Sequence, residues 1–267
     1  MDMVLPVGVN GFLMIRKKIT PAQFKKVILS TEKKLERIEQ NGASLHPNRF
    51  TRAVINLLLK TSLPKEKISG TEHIPEERAS IYVLCTHPTA FDGHVLNRVV
   101  RKKSPLPMLG QTHFDNFVEI GLGYFLLRSP NTFPVFRTKA SLPPQRQKIY
   151  FGKNGLFSQI GDDMLKKAES LNQRIITSIV YLLGENKINY LVSIGRVRNK
   201  DIGTFFNPTS VEILQRTRSE VPVIPVTFSC NTPKKVPFNA QTQMIIHAPI
   251  HEHRKIKERL IPYLNVP

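Results

Sequence analysis

The chain has 267 residues, 40% of them hydrophobic, with 39 Lys+Arg against 20 Asp+Glu and a formal net charge of +19. That length suits one large domain or two small ones, and apolar residues gathered in blocks exclude intrinsic disorder. Two cysteines, Cys85 and Cys230, exclude a disulfide framework, and no apolar stretch reaches the roughly 18 residues of a spanning helix.

In chain order, Met3 to Ile15 is interrupted by Pro6, Gly8, Asn10 and Gly11 and ends in Arg16-Lys17-Lys18, the reverse of a signal peptide's charged start. Residues 20–40 read as an amphipathic helix. Thr20 caps it, Pro21 takes its first position, and Phe24, Val27, Ile28, Leu35 and Ile38 recur at helical spacing up to Asn41-Gly42. A second helix is expected over 48–62, giving an N-terminal helical pair. The polar faces carry Lys25, Lys26, Lys33, Lys34, Arg49, Arg52 and Lys60. They fit either a solvated face or a pair resting on anionic lipid.

From residue 70 the pattern is α/β. Ile81 to Cys85 reads as a strand buried on both faces. Asp92 to Lys103 reads as a helix stopping before Ser104-Pro105, and Phe133 to Arg137 as a short strand. Residues 161–183 read as helical in one or two pieces. Ile188 to Ile194, Val221 to Phe228 and Met244 to His247 read as strands, with a helix over Ser210 to Arg218. The expected fold is a mostly parallel central sheet flanked by helices. Its expected division is a helical segment over 1–63, of membrane-associating character, and an α/β domain over 64–267. Residues 118–127 fit a buried core helix or an interfacial segment. His251 and His253 lie in a basic stretch and are expected at the surface, not on a metal. Cys85 and Cys230 lie in apolar runs and are expected to be buried thiols of a reducing compartment.

Three strand ends carry candidate chemistry. His87 and Asp92, in T86-H-P-T-A-F-D-G-H94, follow a strand and open a helix, where open α/β sheets bind ligands. A carboxylate there can fix an imidazole's tautomer while the other ring nitrogen takes a hydroxyl proton. Equally, Asp92 can simply cap the helix. Gly195, Arg196 and Arg198 follow another strand, and Arg137 a third. Two arginines beside a glycine suit a phosphate clamp, or a basic loop on a basic protein.

These blocks resemble the glycerolipid acyltransferase family, which includes glycerol-3-phosphate and lysophosphatidic acid acyltransferases. G70-T-E-H-I-P75 and I81-Y-V-L-C-T-H87 look like the approach to its first motif, and His87 and Asp92 have its His-x4-Asp spacing. Phe136-Arg137 is similar to the second motif, L191-V-S-I-G-R-V-R198 to the third (F-P-E-G-T-R-S-R), and V221-P-V-I-P-V226 to the fourth. The resemblance covers roughly residues 68–230. It implies that His87 deprotonates a hydroxyl, which attacks the thioester of acyl-CoA or acyl carrier protein. It also implies that Asp92 holds the imidazole and that Arg137, Arg196 and Arg198 bind the acceptor's phosphate. The acceptor would be lysophosphatidic acid or glycerol 3-phosphate, in phospholipid biosynthesis, with no metal and no cofactor beyond the acyl donor. Two departures stand out: Ser193-Ile194 replace the third motif's glutamate and glycine, and Thr86 replaces the usual asparagine before the histidine. Ser193 leaves room for a catalytically silent, lipid-binding relative. The expected location is peripheral, on the cytoplasmic face of an anionic membrane. A nucleic-acid partner rests on charge alone and ranks below these.

Overall fold

The protein is described by a computed structural model over residues 20–41, 65–86, 92–113, 132–136, 157–193, 208–230 and 241–264. Seven strands form one sheet: β1 (Lys65–Ser69), β2 (Ile81–Leu84), β3 (Met108–His113), β4 (Thr132–Val135), β5 (Asn189–Ser193), β6 (Val223–Cys230) and β7 (Gln241–Ile246), in the order β1-β7-β6-β2-β5-β3-β4. β2 lies between β5 and β6 and is parallel to both, and β3 is parallel to β5. β7 is antiparallel to β6, and β1 is parallel to β7. The fold is therefore mixed α/β with a mostly parallel sheet, as the alternating pattern predicts.

Among the described residues the α-helices are α1 (Pro21–Asn41), α2 (Asp92–Val100), α3 (Asp162–Gly184), α4 (Pro208–Arg216) and α5 (Ile256–Leu264). The expected helix over 48–62 and the segment 118–127 lie outside the described residues, as does the expected boundary at 63/64. The chain divides into two compact units, Met1–Ser44 with Gln111–Ser178, and Leu45–Gly110 with Ile179–Pro267.

In the second unit, β2 is buried along its whole length. Tyr82 and Leu84 on one face join Ile224, Val226 and the Val95, Leu96, Val99 and Val100 stripe of α2 in one apolar cluster. Ile81 and Val83 point to the other face and are equally inaccessible. Burial on both faces is why this strand reads as a continuous apolar run. Its register is held at the amino end by Asn189. The fully buried amide accepts the Ser80 N–H at 3.1 Å and donates to Ser104 Oγ at 3.0 Å.

α3 is one continuous helix, not two pieces, and ends in a Schellman turn. Asn186 takes the left-handed conformation (φ 55°), its N–H bonds the Leu183 carbonyl at 3.1 Å, and the Lys187 N–H bonds that of Leu182 at 2.9 Å. The Asn186 side chain also accepts the Ala79 N–H and donates to the Glu77 carbonyl, so the helix stop also fixes the entry to β2.

In the first unit, α1 begins with the expected Thr20 cap, closed reciprocally by Gln23. Thr20 Oγ1 accepts the Gln23 N–H at 3.3 Å, and Gln23 Oε1 accepts the Thr20 N–H at 3.0 Å. Phe24, Ile28, Leu35 and Ile38 are buried, with Thr31 completing the stripe. Thr31 fits there because its hydroxyl donates to the Val27 carbonyl at 2.8 Å. Phe24 meets Phe136 edge-on at 5.6 Å. Lys34 does not belong to the outward polar face. Its Nζ donates to the Thr132 carbonyl at 2.6 Å and lies 4.5 Å from the Phe133 ring centroid, and burial pushes its pKa down to about 7. Lys25, Lys26 and Lys33 are exposed, as expected.

Candidate active site

In the β2–β5 register Leu84 stands opposite Ser193. Because the strands are parallel, the chain leading to His87 and the chain leading to Gly195 leave adjacent strands at the same carboxyl edge. That edge is where the main-chain direction of a parallel sheet places ligands.

α2 begins at this edge with Asp92, which is 2% exposed. A carboxylate at a helix N-terminus is stabilised by the unpaired N–H groups and the positive end of the dipole. The first turn of α2 lies against β5: a β-carbon on Gly93 would come within 2.9 Å of Leu191 Cδ2. Asp92 is thus one residue from a contact with β5 at Leu191, two residues before Ser193. Ser193, where the family pattern has glutamate, closes β5 with its side chain half-buried.

Thr86 closes β2. Its hydroxyl donates to the Phe228 carbonyl at 2.8 Å and accepts the Phe228 N–H at 2.7 Å. One residue earlier the Cys85 N–H still bonds the Val226 carbonyl at 2.9 Å in the ordinary ladder. A side chain therefore takes over from backbone where the strand ends. Cys85 is buried as expected, and burial pushes its thiol up to about 12, which leaves it without nucleophilic character.

In the first unit Phe136 follows β4 directly. Asn172 of α3 brackets its backbone, accepting the Phe136 N–H at 3.0 Å and donating to its carbonyl at 2.6 Å. Nothing in the spacing of the sequence marks Thr86 or Asn172 as backbone clamps. The only signal is a small polar residue at an otherwise apolar strand end and on a helix face.

Of the candidate site residues, Asp92 is described. His87, Arg137, Gly195, Arg196 and Arg198 lie outside the described residues, as do the side chains of His94 and His113. Among the described residues, no group of three His, Cys, Asp or Glu side chains could hold a metal ion.

The other histidines whose side chains are described are His73, His247, His251 and His253. His73 Nδ1 donates to the Ile246 carbonyl at 2.9 Å. His247 Nε2 lies 3.0 Å from Thr227 Oγ1, with its ring 4.6 Å from that of Tyr263. Desolvation, then repulsion from His73, pushes the His247 pKa down. His253 corrects the surface expectation. It is 6% exposed, its Nδ1 donates to the Thr217 carbonyl at 3.1 Å, and its Nε2 is buried without a partner among the described residues. His251 is exposed, as expected.

No protein-family model and no curated protein matches the chain. Among solved structures it is similar to the 1-acyl-sn-glycerophosphate (LPA) acyltransferase PlsC from Thermotoga maritima. The identity is 14%, the match covers 91% of this chain and 95% of that one, and the TM-score is 0.45. A likeness this distant transfers no residue roles, so the site rests on the residues of this chain. Among the described residues, no helix is long and apolar enough to cross a membrane.

Proposed function

We propose that the protein is an acyltransferase that moves a fatty acyl group from acyl-CoA or acyl carrier protein to a hydroxyl of a phosphorylated glycerolipid acceptor, lysophosphatidic acid or glycerol 3-phosphate. The observation that carries the reading is the paired exit of two motif segments from β2 and β5 at one edge of the sheet, with buried Asp92 opening α2 beside them. A His-x4-Asp spacing alone is common by chance. Here the spacing follows a strand whose parallel neighbour, β5, leads in sequence to a Gly-Arg-x-Arg segment, which supports a base and a phosphate clamp at one edge.

In this reading Asp92 accepts a hydrogen bond from one ring nitrogen of His87, and the other ring nitrogen takes the acceptor's hydroxyl proton. The hydroxyl oxygen attacks the thioester carbonyl carbon, the carbon–sulfur bond breaks, and the imidazolium returns the proton to the leaving thiolate. Arg137, Arg196 and Arg198 bind the acceptor's phosphate through charge-assisted hydrogen bonds. The outward face of α1, with Lys25, Lys26 and Lys33 around Leu29 (42% exposed), fits an anionic bilayer surface on which such acceptors reside.

Thioester release is measured with acyl-CoA and acyl carrier protein donors against lysophosphatidic acid and glycerol 3-phosphate. Folded His87→Ala and Asp92→Asn proteins are expected to lose at least about 100-fold in kcat. Wild-type turnover retained in either variant refutes the mechanism. Ser193 at the motif's glutamate position favours a second reading, a lipid-binding relative without catalysis. It predicts sedimentation with anionic vesicles and no turnover of any donor, and detectable wild-type turnover dismisses it.

A further inference from the structure

We infer that Thr86 is a positioning residue of the acyl-transfer site: its hydroxyl fixes, against β6, the point at which the backbone leaves β2 for His87. The inference rests on the acyltransferase reading above. Thr86 is 7% exposed, and its Oγ1 makes both hydrogen bonds to one residue, Phe228. In a continuing parallel ladder the Phe228 N–H would go to a β2 main-chain carbonyl. Here the hydroxyl takes that N–H and gives its own proton to the Phe228 carbonyl, so both main-chain groups of Phe228 are satisfied without the β2 backbone. The Cα of the clamped residue is one peptide from the Cα of residue 87, about 3.8 Å where that peptide is trans. Only two backbone rotations, Thr86 ψ and His87 φ, separate the clamp from the proposed base. The first turn of α2, which carries Asp92, packs on Leu191 of β5. The two halves of the proposed pair are therefore referenced to two different neighbours of β2, to β6 through Thr86 and to β5 through Gly93. An imidazole must meet its carboxylate and its hydroxyl within tenths of an ångström, and a misplacement of about 1 Å costs about 100-fold in rate.

The test compares Thr86→Ser, which keeps the hydroxyl, with Thr86→Val, which keeps the shape and strands the Phe228 N–H and carbonyl without partners. kcat, KM and thermal stability are measured with acyl-CoA donors and lysophosphatidic acid. The expected result is a 10- to 100-fold lower kcat in Thr86→Val, with KM for both substrates within about twofold, and a Thr86→Ser kcat within about threefold of wild type. Should Thr86→Val fail to fold, Thr86→Ala serves. It leaves room for a water on the Phe228 groups, which restores the fold and not the clamp, and the same fall in kcat is expected. A folded variant without the hydroxyl but with wild-type kcat overturns the positioning role and leaves the acyltransferase reading standing. A Thr86→Ser protein as slow as the variants without the hydroxyl also overturns it. A wild-type protein that turns over no donor overturns both.

Discussion

Gly70 offers a test of the sheet edge. Its φ is +79°, and a β-carbon there would lie 1.8 Å from the Ile246 carbonyl oxygen and 2.8 Å from its carbon. Both contacts are backbone, so no rotamer relieves them. Restoring an ordinary separation requires the turn and β7 to part by more than about 1 Å, enough to break a hydrogen bond of normal length. The bonds at risk are His73 Nδ1 to the Ile246 carbonyl (2.9 Å) and the His73 N–H to the Gly70 carbonyl (3.0 Å). At about 1 kcal/mol each, plus about 1 to 2 kcal/mol for a side chain in the left-handed region, Gly70→Ala is expected to cost about 3 to 4 kcal/mol. Gly161 is the control. Its φ is +83°, and nothing lies within 4 Å of its β-carbon position. Gly161→Ala meets only the backbone strain, partly offset by a less flexible unfolded chain, and is expected to cost about 1 kcal/mol or less. Urea unfolding of both variants, with amide exchange over Lys65–Ser69, separates clash from strain. Equal losses for the two alanines, or unchanged exchange in β1 of the Gly70 variant, would refute the argument.

Two further predictions concern groups whose charged form the fold disfavours. Lys34 titrates near 7 when folded against 10.5 ordinarily, so the unfolded chain binds more protons between those values and stability rises with pH across that window. The full shift corresponds to about 5 kcal/mol; the side chain is only partly shielded, so about 2 kcal/mol is expected. Lys34→Met should gain most, relative to wild type, below pH 7 and progressively less toward pH 10.5. Unfolding midpoints at several pH values check this, and a pH-independent difference sinks it. For His247, lowered by desolvation and by His73, wild-type stability should fall as pH drops through about 6.5, the unfolded value. His247→Gln should remove that part of the slope, and identical acid limbs would count against it.

The parts of the fold legible in the sequence are those where local signal and burial agree. α1 announces itself through Thr20, Pro21 and a repeating apolar stripe, and β2 and β6 through continuous apolar runs that only a doubly covered strand requires. β1 escapes the reading because an edge strand needs little apolar content: K-E-K-I-S carries almost none, and Lys67 and Ile68 are exposed. β3 (M-L-G-Q-T-H) is equally obscure, with a glycine at its centre. Lys34 has the spacing of an outward residue, and only the Thr132 carbonyl and the Phe133 ring explain its inward turn. His253 similarly depends on a carbonyl 36 positions away in the chain. For the site, motif residues and their order are readable from sequence. The exit of two motifs from adjacent strands is a matter of strand order, which no local pattern encodes. Neither clamp is readable, since Thr86 and Asn172 act on backbone distant in sequence.

The strand order also sets the sequence of events by which the chain can acquire its shape. β2 waits for β5 and β6, more than 100 positions later, and β1 for β7, which begins at Gln241. β6 and β7, by contrast, pair antiparallel across a ten-residue connection. Closing long loops before their contacts form is slow, whereas a hairpin forms in microseconds. During synthesis β2, the most apolar reach of the site's scaffold, must therefore remain unpaired until most of the chain has been made. Any truncation before Gln241 removes the one strand that β1 pairs with among the described residues.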